Sequence, residues 1–119
     1  MPCGLASRPV RIDHVIYAAE DLDAVAARFQ DELRLTAVAG GRHEGHGTRN
    51  LIVPLGGGYL ELLGVADPRA AARSEFGRGL LTRLARDGEG WPAGVVAAPD
   101  VGLVARRLGT TIVTLSARA

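Results

Sequence analysis

Two stretches of this chain can be laid on each other without a gap. Ile12–Phe29, IDHVIYAAEDLDAVAARF, aligns with Trp91–Leu108, WPAGVVAAPDVGLVARRL. Identities fall at Ala18/Ala97, Ala19/Ala98, Asp21/Asp100, Val25/Val104, Ala26/Ala105 and Arg28/Arg107. Each copy reads as a β-strand, an Asp helix cap and a helix with apolar residues at spacings of three and four. Helix cap, strand end and apolar face match as well as the identities, which points to an internal duplication and not to chance.

The rest of the chain fills in around this repeat. Val10–Ala18 reads as the first strand. Asp21 caps a helix to about Leu33 that buries Leu22, Val25, Ala26, Phe29 and Leu33. Leu35–Ala39 resumes as a strand ending at Gly40-Gly41, and Arg42–Gly47 reads as a loop holding two histidines. Thr48–Leu55 and Tyr59–Val65 are strands joined by Gly56-Gly57-Gly58, a hairpin turn that needs positive φ. No Gly-Lys-Ser/Thr follows those glycines, so they are not a phosphate loop. Asp67-Pro68 starts a helix, with Asp as cap and Pro at the first helical position. That helix is expected to break near Gly77 and Gly79 and to bury Phe76, Leu80, Leu81 and Leu84. Ala93–Ala98 is a strand, Asp100 caps a helix to Leu108, and Thr110–Leu115 is a last strand.

The fold class is therefore α+β: a βαβββ module, a connecting helix and an incomplete βαβ second module. By residue, 1–9 is a tail and 10–119 one domain, with a first module over 10–66, a connecting helix over 67–90 and a partial second module over 91–119. The chain of 119 residues suits one domain. With 47% hydrophobic and 23% charged residues it has the composition of a globular protein, not a disordered one. The net charge of +1 offers no basic excess for phosphates, which argues against a nucleic-acid partner. No apolar run approaches a membrane span and the N-terminus lacks a secretory apolar core, so a cytoplasmic protein is expected. The single cysteine, Cys3, excludes an internal disulfide and a cysteine-based zinc knuckle.

The paired βαβββ module resembles the vicinal oxygen chelate superfamily, which includes glyoxalase I, extradiol dioxygenases, and fosfomycin- and bleomycin-resistance proteins. The motifs that carry the resemblance are DHV on the first strand and YLELLG on the fourth. The run GGRHEGHGTRNLIVPLGGGYLELLGV, Gly40–Val65, is similar to the glyoxalase-like domain branch. The resemblance implies a sheet curved into an open trough with a ligand or metal inside. Carried over residue by residue, the family's first-module metal ligands are His14 and Glu61. The second-module counterpart of His14 is Ala93, which ligates nothing, and the strand that would carry a second carboxylate is missing.

The residues themselves leave two readings open. Strand alternation puts His14 on one face with Ile12 and Ile16, and Glu61 on one face with Tyr59 and Leu63. If those faces line the trough, His14 and Glu61 suit iron, manganese, nickel or zinc. Otherwise His14 is a hydrogen-bonded core histidine and Glu61 sits on a wet strand face. His43 and His46, three residues apart in a glycine-rich loop, can both reach a ligand or stand in solvent. His43, in the family's GGRH signature, is the better substrate contact. Thr48, Asn50 and Tyr59 complete the expected substrate-binding set, with backbone-capping hydrogen bonds as the alternative for Thr48 and Asn50. No general base is identifiable, and Trp91 is expected at the module junction.

The expected function is a glyoxalase-like protein that binds a small molecule in the trough, as a metal-dependent lyase, isomerase or dioxygenase. The alternatives are a non-catalytic binding or drug-sequestering protein and a degenerate domain kept for oligomerisation. Open strand edges in the incomplete module point to a homodimer.

Overall fold

A computed structural model describes residues 10–112. The expected N-terminal tail with Cys3, and most of the expected last strand, lie outside the described residues. Thr110–Ile112 carry no strand. Among the described residues the chain divides into two compact units, one of Ile12–Val95 and one that joins 10–11 to 96–112.

The first unit follows the expected order. Strand β1 (Arg11–Ala18) leads to helix α1 (Leu22–Leu33), then β2 (Val38–His43), β3 (Thr48–Pro54) and β4 (Tyr59–Val65). Two helices follow, α2 (Pro68–Ala72) and α3 (Glu75–Asp87), and then β5 (Gly90–Ala97). The sheet order is β2-β3-β4-β1-β5. β3 runs antiparallel to β2 and β4, while β1 and β4 are parallel, with His14 opposite Tyr59 and Ile16 opposite Glu61. In the second unit, α4 (Val101–Leu108) is capped by Asp100, which accepts from the Leu103 N–H at 2.9 Å. Asp21 caps α1 in the same way, accepting from the Ala24 N–H at 3.0 Å. The strand–cap–helix unit seen twice in the sequence thus recurs with the same cap.

The apolar residues segregate by sheet face. α1 packs Leu22, Val25 and Phe29 against Val53 and Leu62, with Tyr17, Leu51 and Leu60 at the margin. On the opposite face, α3 packs Leu80 and Leu84 against Ala18 and Leu63, with Ile16 and Val65 beside them. Strand alternation explains the division, since Tyr17 and Leu62 point one way and Ile16 and Leu63 the other.

Several expectations are corrected. β2 does not end at Gly40-Gly41 but runs through them to His43. The register jumps there, with Ala39 opposite Leu51 and Arg42 opposite Arg49, so both glycines face Asn50 alone in a β-bulge. A Cβ on Gly40 would lie 2.0 Å from Asn50 Oδ1, so this glycine permits close approach and does not terminate the strand. The loop after it is a single 3-10 turn, Glu44–His46. The helical break lies at Arg73-Ser74, not at Gly77 and Gly79. Ser74 starts α3 by accepting from the Gly77 N–H at 2.8 Å. Gly77 lies inside α3 because its missing side chain lets the helix approach Ala71 and the His46 carbonyl, where a Cβ would stand 2.4–2.5 Å away. Phe76 is 46% exposed, not buried. Trp91 is 52% exposed and meets the Tyr17 ring edge-on at 4.7 Å.

Tyr17 also donates to Glu89 at 2.8 Å, and Arg28 pairs with the same carboxylate oxygen at 2.7 Å. These bonds hold the Glu89 carboxyl below its ordinary range. They tie the approach to β5 onto β1 and α1.

Gly47 fastens the turn to α2. Its φ is 68°, and its carbonyl accepts from the Ala66 and Asp67 N–H groups at 2.8 and 3.1 Å. A Cβ there would lie 2.3 Å from the Ala71 nitrogen, whereas one on Gly56, at φ 94°, meets nothing within 4 Å. Gly47→Ala is expected to cost about 2–4 kcal/mol, combining backbone strain with a clash in the interior. Gly56→Ala should cost about 1–2 kcal/mol from backbone strain alone. Thermal and urea denaturation check the order, and equal losses would show that the packing of Gly47 contributes nothing.

Candidate functional site

The central strands bring the two expected metal ligands together. His14 Nε2 lies 3.3 Å from Glu61 Oε1, and both side chains retain 13% exposure. They sit on the sheet face opposite α1, on the open side of the part covered by α3. The Tyr59 ring stacks on the His14 ring with centroids 4.5 Å apart and planes 9° from parallel. This follows from their direct opposition in the parallel β1–β4 pair.

Each member of the pair is held from behind. Asp13 Oδ2 lies 2.8 Å from His14 Nδ1 and accepts a hydrogen bond from it. Nε2, on the other side of the ring, faces Glu61. Asn50 Nδ2 donates to Glu61 Oε2 at 2.8 Å, and Asn50 Oδ1 accepts from the Gly41 N–H at 2.8 Å. The amide orientation is fixed by these two bonds, because the reverse would set N–H against N–H at Gly41. The chain of contacts runs from Asp13 through His14, Glu61 and Asn50 to the bulge in β2. It leaves one imidazole nitrogen and one carboxylate oxygen facing each other across a gap that only a shared cation or proton reconciles.

The donor set fits a divalent transition ion. Imidazole nitrogen and carboxylate oxygen suit zinc, manganese, nickel and iron. Two ligands at about 2.1 Å from one ion lie roughly 3.0–3.4 Å apart at octahedral or tetrahedral angles. Among the described residues no cluster of three or more His, Cys, Asp or Glu side chains converges, so this chain brings two donors.

The remaining expected site residues are placed as follows. Tyr59 is part of the cluster. Its hydroxyl is held above the ordinary phenol value, first by burial and then by the Asp13 and Glu61 charges, and so stays protonated. Asn50 is committed to Glu61 and Gly41. Thr48 is 0% exposed, with its hydroxyl 3.3 Å from His43 Nδ1. His43 is exposed, at the far end of β2, 6.5 Å from the His46 ring. His46 packs against Phe76, 5.2 Å between ring centroids, at the start of α3.

Spacing alone missed Asp13 and the Gly40-Gly41 bulge. Alternation points Asp13 away from His14, and only the short side chain's reach along the strand brings it to Nδ1. The bulge places backbone N–H groups that no residue pattern announces. The signal that could have found Asn50 is its position on the same face as Glu61, one strand over.

Replacing Asn50 by Asp tests the hold on Glu61. The new carboxylate would face Glu61 Oε2 without a proton to donate, and the variant should lose about 1–3 kcal/mol at pH 7. Urea unfolding at pH 7 checks it, with Asn50→Asp combined with Glu61→Gln expected to lose less than Asn50→Asp alone, because the amide introduced at position 61 can donate to the new carboxylate. An equal loss in both would show that Asn50 does not face the Glu61 carboxylate.

The architecture has known relatives. The glyoxalase-like domain model matches residues 12–119. No curated protein matches the chain by sequence. A hypothetical protein from Bacillus halodurans C-125 superposes with a TM-score of 0.69 at 15% identity, over 86% of this chain and 68% of that one. Methylmalonyl-CoA epimerase from Mycobacterium tuberculosis gives 0.62 at 23% identity, over 83% and 62%. A Streptomyces coelicolor methylmalonyl-CoA epimerase variant, in complex with 2-nitronate-propionyl-CoA, gives 0.60 at 27% identity, over 83% and 69%. The chain thus spans between 62% and 69% of the length of these proteins. The first two likenesses establish the fold, and the family match covers nearly the whole sequence. This chain belongs to the glyoxalase-like domain family, within the vicinal oxygen chelate superfamily.

Proposed function

We propose that this protein binds a small molecule by two neighbouring oxygens at His14 and Glu61, together with a divalent transition ion held by His14 Nε2 and Glu61 Oε1. The observation that supports this most is their 3.3 Å approach, with each residue's other polar atom already engaged. Such an ion, when bound, supplies Lewis acidity to adjacent substrate oxygens and stabilises charge that develops on them. The protein's own part is orientation. Asp13 fixes the imidazole tautomer, Asn50 fixes the carboxylate rotamer, and Tyr59 holds the imidazole plane and offers a protonated phenol beside it.

The likeness to methylmalonyl-CoA epimerases favours isomerase- or lyase-type chemistry on a carbonyl compound over oxygen insertion. A second reading, binding without turnover, is favoured by the donor count, since catalytic sites of this type hold the metal with about three protein ligands. A partner chain would supply the rest. Among the described residues β5 is an edge of the sheet and exposes Trp91, Val95 and Val96, which supports a homodimer. Among the described residues no helix is long and apolar enough to cross a membrane.

Titration calorimetry with Mn²⁺, Ni²⁺ and Zn²⁺ tests the metal. One site per chain is expected, with a Kd between about 10 µM and 1 mM. His14→Ala and Glu61→Ala should each weaken it about tenfold or more, and acidification should weaken it because protons compete for both donors. Binding that survives both substitutions would refute the assignment. Light scattering at tens of micromolar should report a dimer, and a clean monomer would remove that part of the proposal.

A further inference from the structure

Beside the His14–Glu61 pair lies a cavity of about 260 Å³, between the N-terminal half of α3 and the sheet. Its apolar wall includes Ile16, Leu63, Phe76, Gly79, Leu80 and Ala93. The two charged residues on its border are Glu75 and Arg83, and Arg83 is paired with Asp87 at 3.3 Å. Ile16 lies two residues beyond His14 and Leu63 two beyond Glu61, on the same faces of β1 and β4. The cavity therefore begins about 7 Å along the strands from the polar pair.

Gly79 has no packing reason to be glycine. It sits inside α3, where glycine weakens a helix relative to alanine. A Cβ there would meet nothing within 4 Å, unlike the crowded Gly77 two residues earlier. Gly79 lines the cavity, so no side chain from that position narrows it. Ala93, on the facing wall, is small as well. Phe76, 46% exposed, adds a large apolar ring to the border.

We propose that this cavity seats an aliphatic chain on the substrate, so that the ligand is a medium-chain acyl compound with its two neighbouring oxygens at His14 and Glu61. The identification of the oxygen end rests on the proposed function above, and the chain end rests on the cavity. An apolar cavity of about 150 Å³ holds benzene, so this one takes a chain of about six to eight carbons. Its wall is almost entirely apolar, so an aliphatic chain suits it better than a charged tail, which would meet only Glu75 and Arg83 at the border.

The test is a chain-length series. Straight-chain 2-oxo acids of three to ten carbons, titrated calorimetrically with Mn²⁺ present, should gain about threefold in affinity per methylene and level off once the cavity is full. Gly79→Leu should flatten the series, with melting temperature and Mn²⁺ affinity reporting that the protein is folded. Ala93→Leu fills the space from the other wall and should flatten it too. A flat series in the parent, or a gain that survives both fillings, overturns the cavity assignment and leaves the metal site standing. A metal-free arm separates the two ideas. Primary alcohols of four to ten carbons are followed by methyl NMR shifts of Ile16, Leu63 and Leu80. If no 2-oxo acid binds but alcohols show the same length cut-off, lost in Gly79→Leu, the chain site holds and the oxygen site is wrong. If neither series binds, the cavity inference fails as well.

Discussion

The parallel pairing of β1 with β4 is the contact on which the other features depend. It joins the beginning of the module to its end and sets Tyr59 opposite His14 and Glu61 opposite Ile16. A slip of one residue would turn His14 to the α1 face and put Val15 where the imidazole stands. The register is fixed by burial on both faces. Leu62 is 0% exposed under α1, and Leu63, its neighbour, is 4% exposed under α3. A one-residue slip of β4 brings either Glu61 to the buried place of Leu62 or Gly64 to that of Leu63.

The polar cluster follows from how unevenly the two faces are covered. α1 lies over an apolar surface that runs across β1, β3 and β4. α3 covers only part of the other face, so His14 and Glu61 are shielded but still reachable, at 13% exposure each. Polar groups in such a position are costly unless paired. Asp13 and the Asn50–Gly41 link provide the pairing from outside the gap and leave the gap itself unfilled.

Much of this was legible in the sequence where a local rule acts alone. Asp21, Asp67 and Asp100 each cap the helix they were expected to start, since an Asp before an apolar period has few other uses. Tyr59–Val65 was bounded correctly because its alternation is uninterrupted. What the sequence hid depends on residues meeting from afar. Gly40-Gly41 reads as a terminator until Asn50, on the neighbouring strand, is seen to occupy the space a Cβ would need. Gly77 reads as a helix breaker until Ala71 and His46 are seen against it, and then it is the residue that lets α3 form where it does. The family resemblance singled out His14 and Glu61, whereas spacing alone favoured a hydrogen-bonded core histidine and left Glu61 open to a wet strand face. The sequence carried no sign of Asp13, because alternation places it on the other face.

The account centres on the claim that His14 and Glu61 aim one lone pair each at a common point. Anomalous diffraction from crystals equilibrated with Mn²⁺, collected on either side of the manganese edge, locates that point most directly. The account predicts a single anomalous peak per chain, within about 2.0–2.3 Å of both His14 Nε2 and Glu61 Oε1. It also predicts Asp13 and Asn50 in the positions described here. A peak elsewhere, or a His14 ring rotated so that Nε2 turns away from Glu61, would contradict it.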